Sequence, residues 1–142
     1  MLPVIESHLS EVVEELREER GVENLLGLCG ENSVRTADHF FDKGFNPVIV
    51  FGWVDCVEAD SPTTVREAYN QAVIHVWVRV DGYVVDAASE VSGEKGIPKI
   101  YTNSPASYNA LETFEYNGQQ SGSSLLETYE TFATSVNGTY KQ

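Results

Sequence analysis

One cysteine, one histidine and one aspartate in this chain have the residue types that thiol catalysis requires. Cys29 stands where a helix is predicted to begin, and His75 and Asp86 stand on two later segments with the composition of β-strands. A thiolate at Cys29 is a nucleophile, an imidazole at His75 can move a proton, and a carboxylate at Asp86 can orient that imidazole. The three residue types therefore predict a catalytic triad for acyl transfer.

Cys29 and Gly30 begin a segment that predicts a helix of about four turns, ended by Gly44. A thiol in the first turn faces unpaired backbone N–H groups and the positive end of the helix dipole, and both favour a thiolate. The same N–H groups, near Gly30, are candidates to hold an oxyanion. The alternative interpretation is that Cys29 is a small apolar core residue.

The histidine and the aspartate are predicted to be neighbours in a β-hairpin. The strand-like segments 72–80 and 83–86 are joined by Asp81-Gly82, a two-residue hairpin signal. Counting pairs outward from that turn places His75 and Asp86 on one face of the sheet, in diagonal positions. A slip of one residue would move one of them to the other face, so the prediction depends on the two-residue turn.

Four segments together resemble a known family. They are Cys29-Gly30-Glu31 with its helix, residues 44–54 (GFNPVIVFGWV), residues 75–80 (HVWVRV) and residues 84–87 (VVDA). In this order they are similar to the core of the transglutaminase-like superfamily of papain-related thiol enzymes. The similarity covers about residues 26–90 and implies a papain/transglutaminase-like α+β fold.

The resemblance also implies a mechanism. Cys29 would be the nucleophile, His75 its base and Asp86 the group that orients the histidine. Family members often have a proline after the aspartate, where this chain has Ala87. The implied reaction is attack on an amide carbonyl to form a thioester acyl-enzyme, which water or an amine then releases without any cofactor.

The small domain shows no acyl-acceptor site, so hydrolysis is a simpler expectation than protein cross-linking. We therefore expect a cysteine protease or amidase that acts on a peptide or protein substrate. The family also includes inactive relatives, and a non-catalytic peptide-binding or interaction module is the alternative. The presence of all three triad residue types favours the enzyme.

Two further residues are weaker candidates for the site. Asn24 precedes Cys29 by five residues and could offer a side-chain N–H to the oxyanion, although a polar residue in a turn between two helices is the ordinary interpretation. Trp77 shares the predicted face of His75 and could wall an acyl-binding cleft. Tryptophans at such positions are more often partly buried core.

The other two histidines are not expected to take part. His39 lies ten residues beyond Cys29 on the same predicted helix, about 15 Å along its axis, and this is too far for proton transfer. His8 has no acid placed beside it, and both are expected to be solvated. No pair of cysteines or histidines has the close spacing of a zinc site, so no metal site is predicted.

Cys56 is the other cysteine of the chain and the available disulfide partner of Cys29. A bridge between them would abolish the nucleophile. Two cysteines in 142 residues do not resemble a disulfide scaffold, so we expect both to be free thiols. The first residues lack the basic start and apolar run of a signal peptide, and no stretch approaches 18 apolar residues, which predicts a cytoplasmic protein.

Length and charge limit the function further. The 142 residues suit a single domain over 1–142, and 22 acidic against nine basic residues give a net charge of −13. Such a surface disfavours binding to nucleic acid or to an anionic membrane. It is compatible with a halophilic source, in which salt screens the repulsion among carboxylates, and equally with an ordinary acidic protein.

The remaining pattern completes the predicted fold. An amphipathic helix is expected over residues 5–19, strands over 47–54 and 99–101, a helical turn within 61–67, a loop over 108–122 and a closing helix over 123–133. We expect an α+β domain in which the cysteine-bearing helix packs on an antiparallel sheet of at least three strands, and the N-terminal helix covers an edge or a face. The sequence does not indicate an oligomeric state.

Overall fold

The computed structural model describes residues 1–21, 25, 29–55, 72–91 and 93–118. Over these residues the chain is an α+β protein with two helices and a five-stranded antiparallel sheet, in the strand order β4-β3-β2-β1-β5. The expected α+β class is confirmed. The elements are α1 (Leu2–Arg20), α2 (Cys29–Asp42), β1 (Val48–Asp55), β2 (Ala72–Val80), β3 (Tyr83–Asp86), β4 (Lys99–Tyr101) and β5 (Tyr108–Glu115).

The two helices form one layer against the sheet. Helix α1 buries the predicted apolar stripe and ends at Gly21, whose φ of 65° is the left-handed conformation that favours glycine at a helix end. Helix α1 contacts α2, and α2 contacts β2 and β1. The buried side chains of the stripe are Ile5, Leu9, Val12, Val13 and Leu16.

The turn between β2 and β3 has the predicted form. Asp81 and Gly82 have φ values of 49° and 83°, as the central residues of a type I′ hairpin turn require. The ladder beyond the turn has the predicted register and contains three pairs, the last of which joins Val78 to Val85. The next pair in that register would be Trp77 with Asp86, but the ladder stops before it. The ladder therefore ends before it reaches the level of His75.

Alternation along β2 divides the core into two parts. Val76, Val78 and Val80 belong to the larger cluster, in which the sheet packs against the helices. Trp77 belongs to a second, smaller cluster, and the pleat places His75 on the same side of the strand. The second cluster also contains Val50, Val54, Val84 and Tyr108.

The predicted loop over 108–122 is wrong for residues 108–115, which form β5 and pair with β1. The pairing register shifts between Phe51 and Gly52, and this bulge breaks the alternation of apolar residues along β5. Leu111, at the bulge, and Phe114 are exposed. The segment is a strand because β1 supplies its hydrogen-bonding partner, a tertiary effect that its own asparagine and glutamates do not predict.

Several predictions concern residues outside the described part of the chain. These are the oxyanion role of Asn24, the free thiol of Cys56, the helical turn within 61–67 and the helix over 123–133. Residues 119–122 of the predicted loop also lie outside it. Neither described helix combines the length and the apolar character that crossing a bilayer would need.

Candidate functional site

His75 and Asp86 form a buried pair. The Nε2 atom of His75 lies 2.7 Å from Oδ2 of Asp86, and the side chains are 0% and 4% exposed. Nε2–H donates to the carboxylate, since an ionised carboxylate only accepts. The predicted diagonal neighbours on one face of the sheet are thus in direct contact.

Tyr108, from β5, is a second partner of the carboxylate. Its hydroxyl donates to Oδ2 of Asp86 at 2.7 Å and lies 3.3 Å from the hydroxyl oxygen of Ser89. The backbone N–H of Ala88 donates to Oδ1 of Asp86 at 3.3 Å. Burial and the negative charge of Asp86 both raise the pKa of Tyr108, so this phenol keeps its proton and its role as donor. Sequence reasoning missed Tyr108 because it placed the residue in a loop.

Aromatic rings pack around the imidazole. The ring of Trp77 stacks on His75 with centroids 6.0 Å apart and planes 24° apart, and Tyr108 meets Trp77 edge-on at 5.0 Å. Gly52 pairs with His75 in the β1–β2 ladder. A Cβ atom at Gly52 would lie 2.0 Å from the carbonyl oxygen of Asn109 and 2.9 Å from the Trp77 ring. Glycine is therefore needed there for β5 and the tryptophan to approach.

Cys29 begins α2 and is half-buried. Two buried polar residues of the next turn hold this end of the helix in place. The hydroxyl of Ser33 donates to the carbonyl oxygen of Val76 on β2 at 3.0 Å, and the amide of Asn32 donates to the carbonyl oxygen of Leu25 at 3.0 Å. The Ser33 bond ties the start of α2 to the strand that carries the histidine, and the Asn32 bond ties it to Leu25, which precedes the helix.

The electrostatics of His75 depend on both triad partners. Burial alone would lower its pKa, but the charge and hydrogen bond of Asp86, followed by the hydrogen-bonding and charge interactions of Cys29, raise it to about 10. At neutral pH the buried ring is therefore an imidazolium. Its Nδ1 atom is buried and has no hydrogen bond of regular geometry within the described part of the chain. Because Nε2 is engaged by Asp86, Nδ1 is the nitrogen available to the thiol.

The weaker sequence candidates have the following positions. Gly30 is buried in the first turn of α2, where backbone N–H groups lack helical partners. Trp77 is 2% exposed, and its ring stacks on the imidazole of His75. The oxyanion role of Gly30 and the contact of Trp77 with substrate stay predictions.

His8 and His39 are half-buried, whereas the sequence led us to expect solvated side chains. Their Nδ1 and Nε2 atoms, respectively, lie 3.2 Å apart, and Oε2 of Glu11 lies 3.7 Å from the first and 3.2 Å from the second. Burial and the neighbouring His8 lower the pKa of His39, against the opposite effects of Glu11 and Glu15. The sequence signal was the His-x-x-Glu spacing of His8 and Glu11. His39 follows His8 by 31 positions, so its place in the cluster had no local signal.

A groove of about 800 Å³ runs along α1 and reaches β4. Its walls include Leu9, Val13 and Ile100, and no triad residue lines it. Its size alone does not make it a substrate site, because the paired acid, base and thiol lie elsewhere.

Comparisons with protein-family models, with curated proteins and with solved structures find no match to this chain. No family is identified. The functional assignment therefore depends on the chemistry of the residues described above.

Proposed function

We propose that this protein is a thiol-dependent hydrolase of amide bonds, a peptidase or amidase of the transglutaminase-like kind. Cys29 is the nucleophile, His75 the proton carrier and Asp86 the residue that orients it. The observation that carries the proposal is the buried His75–Asp86 pair at 2.7 Å, which leaves Nδ1 of the imidazole unengaged and under the influence of the Cys29 thiol.

In this arrangement the two nitrogens of the imidazole have different roles. Asp86 accepts from Nε2 and fixes the ring orientation, and Tyr108 and the N–H of Ala88 hold the carboxylate in turn. The raised pKa of His75 keeps a proton on both nitrogens at neutral pH. An imidazolium beside a thiol at a helix start stabilises the thiolate, which is the reactive form.

In the acylation half-reaction, the Cys29 sulfur attacks the amide carbonyl carbon and a C–S bond forms. The C=O π pair moves to oxygen, and backbone N–H groups in the first turn of α2 are the donors proposed to stabilise that oxyanion. His75 Nδ1–H then protonates the amine nitrogen as the C–N bond breaks. A thioester, a free amine and a neutral imidazole remain.

In the deacylation half-reaction, neutral Nδ1 takes a proton from water while the water oxygen attacks the thioester carbonyl. The C–S bond breaks, the sulfur leaves as thiolate, and His75 retains the proton. The enzyme returns to its starting state, and the net reaction is amide plus water to carboxylic acid plus amine.

The test is the rate of alkylation of Cys29 by iodoacetamide as a function of pH, read by mass spectrometry on the peptide that contains Cys29. In the wild-type protein we expect rapid labelling at neutral pH, because an imidazolium next to the sulfur stabilises the thiolate. The His75→Gln variant should label slowly at the same pH, at the rate of an ordinary cysteine. Reading the Cys29 peptide separately keeps Cys56 out of the measurement.

The full burial of the His75 ring favours one alternative, in which the histidine and aspartate serve only as an internal ion pair of a non-catalytic binding module. On that alternative, wild type and His75→Gln would label at equal, slow rates with the same pH dependence. That result would remove the catalytic proposal.

A further inference from the structure

Three potential ligand atoms from two helices lie close together, and none of them belongs to a triad residue. They are Nδ1 of His8, Nε2 of His39 and Oε2 of Glu11, and all lie within 4.8 Å of one another. His8 and Glu11 are one turn apart on α1, and His39 is in the last turns of α2. The cluster therefore spans the α1–α2 contact.

The distances match the edges of a tetrahedral metal site. Zinc bonds to nitrogen and carboxylate oxygen are about 2.0–2.2 Å, so two ligand atoms of one tetrahedron lie roughly 3.3–3.5 Å apart. The three separations here are 3.2 Å between the two histidines, 3.2 Å between His39 and Glu11, and 3.7 Å between His8 and Glu11. The separations therefore suit one ion bound to all three atoms.

Protons alone satisfy this cluster poorly. If His8 donates its Nδ1–H to Nε2 of His39, that bond uses the lone pair of Nε2. Oε2 of Glu11 lies 3.2 Å from the same nitrogen, and no proton is then available for a hydrogen bond between them. If Nε2–H of His39 donates to Glu11 instead, the lone pair on Nδ1 of His8 can accept only the weaker part of a bifurcated hydrogen bond from the same N–H group. If both rings are charged, two cations lie 3.2 Å apart. A divalent cation satisfies all three acceptors at once.

The residues around the cluster also suit a bound cation, because some of them are apolar and others are acidic. The rings of Phe40 and Phe45 lie 5.6 Å and 6.0 Å from His8, and apolar walls of this kind limit access by water. Glu15 adds negative charge near His39, and Lys43 opposes it. The net charge of −13 also favours cations over the protein as a whole.

We propose that His8, Glu11 and His39 form a binding site for a divalent transition metal of the Zn²⁺ class, with three protein ligands and one coordination position left for water. Two imidazoles and one carboxylate suit Zn²⁺ better than Mg²⁺ or Ca²⁺, which prefer oxygen ligands. Because its ligands come from both helices, the bound metal joins α1 to α2 and stabilises their contact.

The test is calorimetric titration of ZnCl2 into chelator-treated, full-length protein that carries Cys29→Ser, so that the thiol of Cys29 takes no part in binding. We expect one equivalent to bind and to raise Tm. His39→Gln and Glu11→Gln should each weaken binding at least tenfold and reduce the rise in Tm at the same zinc concentration. Glu14→Gln, an exposed α1 glutamate outside the cluster, removes the same charge as Glu11→Gln and should bind as the parent does.

X-ray absorption by the zinc-loaded parent distinguishes the ligands directly. A first shell of nitrogen and oxygen at about 2.0–2.1 Å with imidazole scattering is expected, and sulfur at about 2.3 Å would place the metal on Cys56 and overturn the proposal. Equal zinc affinity in the parent and in both cluster variants would overturn it as well. Should His39→Gln fail to fold, Glu11→Gln still decides the outcome, because Glu11 is exposed.

Discussion

The charge state of His75 can be tested through the stability of the fold. The perturbation is His75→Gln, which removes the titrating ring but keeps an N–H donor for Asp86. Both proteins carry Cys29→Ala, so that titration of this thiol does not enter the comparison. The quantity to follow is the difference between their free energies of unfolding from pH 6 to pH 10.

The expected sign follows from the raised pKa. Burial lowers the pKa of His75, but Asp86 and then Cys29 raise it from 6.5 to about 10. Below about pH 6.5 the ring is protonated in the folded and unfolded states, and the whole stabilisation is present. As pH rises toward 10, only the unfolded state loses its proton, so the stabilisation falls and is gone above the folded pKa.

The expected magnitude is about 1.4 kcal/mol per pH unit, the value for one proton, beginning above about pH 6.5. When Cys29 is present, raising the pH from 6.5 to about 10 should lower the free energy of unfolding by an amount on the order of 5 kcal/mol. With Cys29→Ala the upper end of the window moves below 10, because the thiol no longer contributes to the raised pKa of His75. A loss of this size is comparable with the total stability of many small domains.

The assay is urea unfolding followed by far-UV circular dichroism at half-unit pH steps, with free energies compared at equal m-values. The protein that retains His75 should have a larger free energy of unfolding than the His75→Gln variant, and this difference should decrease as pH rises. A difference that does not change with pH would mean that the buried ring carries no extra proton. A difference that grows with pH would mean that desolvation outweighs Asp86. Either result would refute the electrostatic reasoning for the site.

Two other predictions address residues around the triad, and a third addresses the acidic composition. Tyr108→Phe removes a donor to Asp86, and a bond to a charged group contributes about 1.5–3 kcal/mol, so Tm and the Cys29 alkylation rate should both fall. Tyr116→Phe removes the bond of another phenol to a carboxylate, that of Asp38, and should leave the alkylation rate unchanged. Gly52→Ala places a Cβ 2.0 Å from a β5 carbonyl and should prevent folding or cost several kcal/mol in urea unfolding, while Gly30→Ala, with open space at its Cβ, should unfold at a similar or higher urea concentration. If the acidic composition reflects a halophilic source, dialysis from molar to low salt should reduce helicity, and unchanged circular dichroism would reject that origin.

The histidine and aspartate were predictable because strand parity is a local property. A two-residue turn at Asp81-Gly82 fixes which residues of the two strands share a face, and the type I′ geometry is present. The distance between His75 and Asp86 was harder to predict, because the ladder ends at Val78 and Val85 and the side chains meet beyond its end. The sequence pattern therefore determines which face of the sheet the two residues share, and tertiary packing determines that their side chains touch.

Contacts between distant segments were not predictable in the same way. Tyr108 reaches Asp86 only because β5 returns to the far edge of β1, and nothing in the composition of β5 indicates that pairing. His8 and His39 meet because α1 and α2 pack together, although neither residue interrupts the apolar stripe of its own helix. Hydrophobic periodicity identifies the buried face of a helix but does not identify the polar residues that meet across a helix contact.

The position of the nucleophile depends on such polar residues as well. Asn32, Ser33 and Thr36 lie on the inner face of α2 and are nearly fully buried, where an apolar pattern would predict aliphatic side chains. Each has a partner, and the bond from Ser33 to the carbonyl of Val76 joins the helix to β2 one residue from His75. A buried hydrogen bond fixes both distance and direction, whereas an apolar contact at the same place would allow the helix to slide. We therefore expect the alignment of Cys29 with His75 to depend on this bond more than on the size of the hydrophobic core.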